Sequence, residues 1–185
     1  EENRHAIVLR NYLMTTRAVD PVDLERVRIE HMTTGYSAPS LHVLHILAKF
    51  ALDERAAAVR HRRASASSQD ALLSSILDRI AEDDELQTTL FTDLVSAAIR
   101  VDADGAVRAI ADTVASFSVP TVDLPGRGGS AELLAGIGLY DRTIETEEVI
   151  KPLLEAWNVF TLDGLGEDGL AARAELESAV AAATS

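Results

Sequence analysis

The sequence is poor in several residue classes, and each shortage narrows its possible functions. Cysteine is absent from all 185 residues, which excludes disulfides, thiolate metal ligands and a cysteine nucleophile. Aromatic residues make up only 4% of the chain, and we expect the few present, such as Trp157, to serve packing. The formal charge is −13, from 17 Lys and Arg against 30 Asp and Glu, which opposes nucleic-acid binding. No apolar run approaches the roughly 20 residues of a membrane-spanning helix, so a cytoplasmic protein is predicted.

The rest of the composition is typical of a globular protein. Hydrophobic residues account for 47% of the chain and charged residues for 25%. The length predicts a single helical domain over residues 1–185 with a sizeable core. Residue 1 is Glu1 rather than methionine, and we expect the sequence to be a fragment of a longer domain.

Hydrophobic periodicity predicts an all-α fold. Apolar residues recur with a period near 3.6 along nearly the whole chain, without sustained apolar–polar alternation. Asp20 and Asp70 stand at two predicted helix starts, where a carboxylate accepts hydrogen bonds from free backbone N–H groups. The Pro- and Gly-rich stretch 119–130 is predicted to be a loop. The predicted helices cover about residues 1–17, 21–34, 40–63, 71–100, 105–117, 130–139, 145–157 and 167–182.

Five polar residues interrupt the apolar stripes of three predicted helices. Glu2 and His5 share a face of the first helix, in line with a predicted core stripe that runs from Leu9 to Thr16. Two further helices carry the other interruptions: Glu54, Asp84 and Gln87. A buried carboxylate costs several kcal/mol, in order of magnitude, unless it is paired, protonated or bound to a metal. The pattern predicts a shared polar site, and the alternative is that these residues lie at the boundary of the core.

The spacing of these residues is close to a metal-ligand pattern. Two Glu-x-x-His motifs, with one Glu from each of two other helices, form the ligand set of di-iron carboxylate bundles. Glu2 and His5 form one such motif, and Glu54 supplies a lone glutamate. Asp84 and Gln87 have the spacing of the second motif but not its residue types. The pattern therefore suggests a di-iron site that retains part of its ligands.

Longer runs of residues carry a more specific resemblance. The chain begins Glu1-Glu2-Asn3-Arg4-His5, followed by Asn11-Tyr12-Leu13. Further stretches follow in order: Leu52-Asp53-Glu54-Arg55-Ala56, Asp102 to Val107, Phe117 to Pro120, Gly138 to Tyr140, Leu153 to Val159 and Asp163 to Ala172. Together they resemble the acyl-acyl carrier protein (acyl-ACP) desaturases, soluble oxidoreductases of fatty acid biosynthesis that introduce double bonds into carrier-bound acyl chains. The resemblance extends across nearly the whole chain.

The resemblance implies a structure, a cofactor and partners. The implied fold is a ferritin-like helical bundle with additional C-terminal helices, assembled as a homodimer. The implied cofactor is a di-iron centre, which activates O₂ with electrons from a ferredoxin-type donor while the protein supplies the cage and the docking surface. Carried over by position, Glu2, His5 and Glu54 correspond to iron ligands. The implied partners are ACP, which carries the acyl substrate, and the electron donor.

The chain departs from the family pattern at the metal centre. Asp84 and Gln87 replace the second Glu-x-x-His; aspartate is shorter by a methylene, and a neutral amide is a poor iron ligand. The helix with the family's first glutamate would precede this sequence, so we expect the bundle to lack its N-terminal helix. These departures predict that the chain alone does not hold both irons, and that Asp84 and Gln87 hydrogen-bond with Glu2, His5 and Glu54 instead. The alternative function is a catalytically inactive relative that binds the carrier protein or a partner subunit.

A cluster of arginines forms the one concentrated basic patch of this acidic sequence. Arg60, Arg62 and Arg63 lie near the end of the third predicted helix. An acidic carrier protein would need such a patch for docking. The alternative is a solvated helix end whose cations complement the helix dipole.

Three other patterns have simpler interpretations. His42 and His45 have metal-like spacing but point away from the polar face of their helix, which favours surface histidines. Asp102 begins a run similar to an EF-hand loop, but Thr113 replaces its bidentate carboxylate, so helix capping is favoured. The glycine-rich run 126–130 lacks the following Lys-Ser/Thr of a phosphate-binding loop.

Overall fold

The computed structural model of the chain describes residues 1–33, 41–119, 123–124 and 128–183. Nearly all regular structure in these ranges is helical, which confirms the all-α prediction. One antiparallel pair of two-residue strands, β1 (Asp123–Leu124) and β2 (Gly128–Gly129), is the exception. The helices are α1 (Glu2–Thr15), α2 (Pro21–Thr33), α3 (Val43–Ser67), α4 (Ala71–Val101), α5 (Ala103–Ser116), α6 (Ser130–Gly136), α7 (Arg142–Ile144), α8 (Lys151–Ala156) and α9 (Glu167–Ala183).

Side-chain caps set the starts of the central helices. Asp70 Oδ1 accepts hydrogen bonds from the first N–H groups of α4, and Asp102 Oδ1 accepts one from Gly105 at the start of α5. Both contacts satisfy backbone donors that the helix itself leaves free. The predicted start of α4 and the capping role of Asp102 are therefore confirmed. The predicted boundaries at residues 34 and 40, and residues 126 and 127 of the glycine-rich run, lie outside the described residues.

The core is built on the two longest helices. Among the described elements, α3 and α4 form the most extensive contact, and α5 packs on α3 and α9. Alanines at the α3 interface leave room for close helix approach, and Leu52 of α3 and Leu154 of α8 are fully buried. Trp157 is also buried, and its Nε1 donates to the Thr92 carbonyl of α4 over 3.2 Å. This tightly packed region fixes the α3 and α4 side chains that face α1.

The two N-terminal helices lie at the periphery of this core. In α1 only His5 is buried, and in α2 no residue is buried. The predicted core stripe on α1 is therefore wrong in extent, because Leu9 is only partly buried and Thr16 is exposed. Periodicity identified the apolar face of the helix, but this face is only partly covered. The helix contacts α4 through His5 near one end and contacts the N-cap of α4 through Tyr12 near the other.

The chain between α7 and α8 follows a wider helical path than predicted. Residues Glu145–Ile150 form a π-helical segment, so the predicted helix 145–157 is present but begins earlier and changes its geometry. Glu145 and Thr146 of this segment are buried. None of the helices in the described part of the chain is long and apolar enough to cross a membrane.

Candidate metal centre

His5 lies at the centre of the predicted polar site. Its Nε2 atom is 3.2 Å from Asp83 Oδ2, while Nδ1 faces Glu2 Oε1 at 3.5 Å and Asp84 Oδ1 at 3.8 Å. The residue is 6% exposed, and Nδ1 makes no hydrogen bond to any described residue. A buried imidazole nitrogen without a partner is costly. One side of this ring is therefore satisfied, and the other is directed between two carboxylates.

Asp84 of α4 faces a histidine from α3 and a histidine from α1. Its side chain is 1% exposed, and its Oδ2 is 2.7 Å from Nδ1 of His61 on α3. An ionised carboxylate only accepts hydrogen bonds, so His61 Nδ1 carries the proton and donates it. Asp84 thus lies between two imidazoles, His61 on one oxygen and His5 near the other. His61 was not predicted from the sequence to belong to the site. The signal for it was that a buried carboxylate needs a hydrogen-bond partner.

Gln87 and Glu2 lie on the exposed side of the cluster. Gln87 Nε2 donates a hydrogen bond to Glu2 Oε1 over 3.4 Å. This is the same Glu2 oxygen that faces His5. The Glu2 side chain is 72% exposed, so the cluster opens to solvent on this side. The predicted hydrogen bond between Gln87 and the acidic cluster is confirmed.

Glu54 of α3 interacts electrostatically with the same cluster but makes no hydrogen bond to it. Burial, followed by the negative charges of Glu2, Asp84 and Asp53, raises the pKa of Glu54 to about 7. Among the described residues, none donates a hydrogen bond to its carboxylate. The predicted hydrogen bonds to Glu54, and from Asp84 to His5, are therefore wrong: Asp84 has His61 as its partner, and His5 Nδ1 has none among the described residues.

The structure thus gathers the predicted residues in one place. Glu2, His5 and Asp84 present ligand atoms within 4.8 Å of one another, and Gln87 contacts Glu2. Glu54 interacts with the group electrostatically. Assignment of Glu2, His5 and Glu54 as iron ligands stays a prediction.

A second acidic cluster lies on the other side of His5. Asp83 accepts hydrogen bonds from Arg4 at 2.6 Å and is 3.0 Å from Arg79. The contact with His5, together with these two arginines, lowers the pKa of Asp83. Asp83 was not predicted from the sequence as a site residue, although it directly precedes Asp84 in α4 and is also buried. Its negative charge is already balanced by protein cations.

The three arginines of the basic patch have partners within the described chain. Arg62 makes two hydrogen bonds to Glu85, at 2.9 and 3.0 Å, and Arg63 pairs with Glu148. The Arg60 guanidinium lies 5.8 Å from the centre of the Tyr140 ring, and burial lowers its pKa. The patch therefore carries little excess positive charge. Its role in carrier-protein docking stays a prediction.

The two remaining histidine candidates are held by local contacts. His42 Nδ1 accepts a hydrogen bond from the Leu44 N–H at the start of α3. His45 Nε2 faces Asp112 of α5 at 3.2 Å. Within the described ranges, neither histidine belongs to a group of three metal-ligating side chains.

Comparisons with known proteins identify similar chains. Residues 1–183 match the family described as fatty acid desaturase. The chain is 31% identical over 184 residues to a Mycobacterium tuberculosis protein named as an acyl-ACP desaturase, DesA1, an alignment that covers 95% of this chain and 54% of DesA1. It is 26% identical over 182 residues to a chloroplastic stearoyl-ACP 9-desaturase of Arabidopsis thaliana, covering 91% of this chain and 46% of that protein.

A solved structure supports the same relationship. The crystal structure of DesA2 from M. tuberculosis, also named as an acyl-ACP desaturase, matches with a TM-score of 0.73 and 29% identity. The match covers 91% of this chain and 63% of the DesA2 chain. The chain spans about half the length of the curated relatives it matches.

Proposed function

The chain belongs to the fatty acid desaturase family, and from this membership we propose that its ligand is an acyl chain carried on ACP. We propose further that this chain alone binds acyl-ACP without desaturating it. The proposed lack of desaturation rests on Gln87. This residue places an amide at the position of the family's second imidazole, and the amide is hydrogen-bonded to Glu2. The relatives named as acyl-ACP desaturases support the first part.

A complete di-iron centre does not fit the described donor set. Each iron of such a centre needs an imidazole and carboxylates, but only one imidazole, that of His5, faces the acidic cluster with a free nitrogen. The other histidine, His61, directs its Nδ1 to Asp84 as a hydrogen-bond donor. An amide such as that of Gln87 is a poor substitute for an imidazole on iron. Oxygen activation at two irons by this chain alone is therefore not proposed.

Electrostatics limits where an acidic carrier protein approaches. The chain has a formal charge of −13, so most of its surface repels an acidic partner. Arg62 and Arg63 lie together on α3, and their partners Glu85 and Glu148 are partly exposed. Carboxylates of the carrier protein would replace these partners at the two guanidinium groups. Such binding would weaken as salt concentration rises.

A binding experiment tests the proposed ligand. Palmitoyl-ACP, stearoyl-ACP and ACP without an acyl chain are immobilised, and the dissociation constant of the purified chain is measured for each. We expect the acylated forms to bind more tightly than the unacylated form, because burial of acyl methylenes contributes about 0.8 kcal/mol each. Equal affinity for all three forms, or no binding, would overturn the proposal.

Desaturation by the chain itself is the second candidate function. The closeness of Glu2 to His5, with Glu54 in electrostatic contact with both, favours it, since these positions correspond to iron ligands in the resemblance. The test supplies Fe²⁺, O₂, reduced ferredoxin and acyl-ACP, followed by mass spectrometry of the released fatty acids. We expect no double bond above the level of a metal-free control. Sustained double-bond formation would favour this second candidate.

A further inference from the structure

We propose that the chain binds a single divalent transition-metal ion, between Glu2, His5 and Asp84. This inference departs from the two-iron centre that the family resemblance implies. It rests on the side chains of this chain and not on acyl-ACP binding, so the two proposals are tested separately. Carboxylate oxygens together with one imidazole suit Mn²⁺, Fe²⁺, Co²⁺ or Zn²⁺.

The distances fit one shared ion. Two atoms that each lie about 2.1 Å from an ion are at most about 4.2 Å apart. His5 Nδ1 is 3.5 Å from Glu2 Oε1 and 3.8 Å from Asp84 Oδ1, and all three ligand atoms lie within 4.8 Å of one another. Small side-chain movements would therefore suffice to bind an ion. Water from the exposed side of Glu2 would complete its coordination.

The unpartnered nitrogen of His5 distinguishes this group from an ordinary acidic cluster. The side chain is more than nine-tenths buried, and Nδ1 has no hydrogen-bond partner among the described residues. The opposite nitrogen, Nε2, contacts Asp83 at 3.2 Å. A carboxylate behind the imidazole holds the ring in place and favours the tautomer with a free Nδ1 lone pair. The His5 ring is therefore arranged as a metal ligand: Nδ1 is free to bind an ion, and Asp83 holds the ring at Nε2.

A neighbouring group of similar composition is a poorer metal site. Glu1, His5 and Asp83 also bring ligand atoms within 4.8 Å of one another. Arg4, however, bridges Glu1 and Asp83, at 2.5 and 2.6 Å, and Arg79 contacts Asp83 as well. These guanidinium groups already neutralise the carboxylates and would repel a cation. In the described part of the chain, no arginine or lysine forms an ion pair with Glu2 or Asp84.

His61 is assigned as a positioning residue for the ion. Its Nδ1–H donates to Asp84 Oδ2 over 2.7 Å, which leaves Oδ1 directed toward His5. Partners of this kind orient ligating carboxylates, and their loss typically lowers metal affinity by about 10- to 100-fold. Gln87 has a different role. Its amide donates a hydrogen bond to Glu2, and the side chain does not provide the second imidazole that a second ion would need. One ion is therefore expected where the family pattern implies two.

Metal stoichiometry tests the inference. The full chain is stripped with chelator and dialysed against Co²⁺, and anaerobically against Fe²⁺, before metal and protein are quantified. We expect one ion per chain, and a visible Co²⁺ spectrum characteristic of mixed nitrogen and oxygen ligands. His5→Ala and Asp84→Asn should each lower the affinity at least tenfold, and circular dichroism confirms that each variant remains helical. His61→Ala should weaken binding about tenfold or more while the stoichiometry stays at one.

His45→Ala serves as the matched control. It removes another histidine whose Nδ1 lacks a partner, but this residue faces Asp112 on the far side of α3. The variant should bind Co²⁺ like the unmodified chain. Two ions per chain, no ion, or loss of binding in this control would overturn the inference. Acyl-ACP affinity, measured without metal, reports on the proposed function alone.

Discussion

Replacement of Glu54 by glutamine should stabilise the metal-free protein at alkaline pH. Burial, followed by the neighbouring carboxylates of Glu2 and Asp84, raises the pKa of Glu54 from 4.5 to about 7 in the folded chain. The folded state therefore holds a proton that the unfolded state releases between these values. The free energy of unfolding falls as pH rises through this window and carries a constant penalty above about pH 7.

The size of this penalty follows from the pKa difference and from solvent exposure. A difference of this size corresponds to about 3 kcal/mol if it is fully realised. Glu54 is only half-buried, and solvent screening reduces the expected effect to about 1–2 kcal/mol. Glutamine keeps the shape of the protonated side chain but never ionises. Glu54→Gln should therefore be more stable by about 1–2 kcal/mol at pH 8, and equally stable near pH 4, below the unfolded pKa.

Urea unfolding, followed by circular dichroism between pH 4 and pH 8 with chelator present, measures this difference. Glu85→Gln is the matched control, because a hydrogen bond from Arg62 lowers the pKa of Glu85. Its stabilising contribution is present above the unfolded pKa, so this variant should lose stability at pH 8 and approach the unmodified chain under acidic conditions. An unchanged or lower stability of Glu54→Gln at pH 8 would refute the electrostatic account of the site.

Three further changes test other parts of the structure. His61→Ala removes the hydrogen-bond donor of buried Asp84 and should lower the free energy of unfolding by about 1–3 kcal/mol, as measured by urea titration; a smaller loss would mean that water replaces the imidazole. Leu154→Ala leaves a cavity at a fully buried position and should cost about 2–5 kcal/mol, visible as a lower unfolding midpoint with unchanged slope. Arg62→Gln combined with Arg63→Gln should weaken acyl-ACP binding about 2- to 10-fold at low salt, whereas an unchanged dissociation constant would place the docking surface elsewhere.

Local patterns predicted the helices well because their signals lie within each helix. Asp70 precedes a long periodic segment, and α4 begins at the residue after it. Residues three positions apart share a helix face, which is why Glu2 and His5 were placed together correctly. Periodicity does not report how much of an apolar face is covered by another element. For this reason the extent of the α1 core was overestimated.

Contacts between helices were the harder part of the site to predict. The pair of His61 and Asp84 depends on the relative positions of α3 and α4, which neither helix encodes by itself. The same holds for Asp83, whose partners come from both α1 and α4. The arginines of α3 looked like a free basic surface in the sequence. In the fold, acids distant in sequence neutralise Arg62 and Arg63.

The peripheral position of α1 has a kinetic consequence. Glu2 and His5 both belong to this helix, whose only buried residue is His5, whereas Asp84 and His61 are fixed on the α3–α4 pair. Local opening of α1 would withdraw two of the three proposed ligands in a single event. Exchange of the ion would then occur at the rate of helix undocking, and hydrogen exchange at the α1 amides would slow in proportion to occupancy.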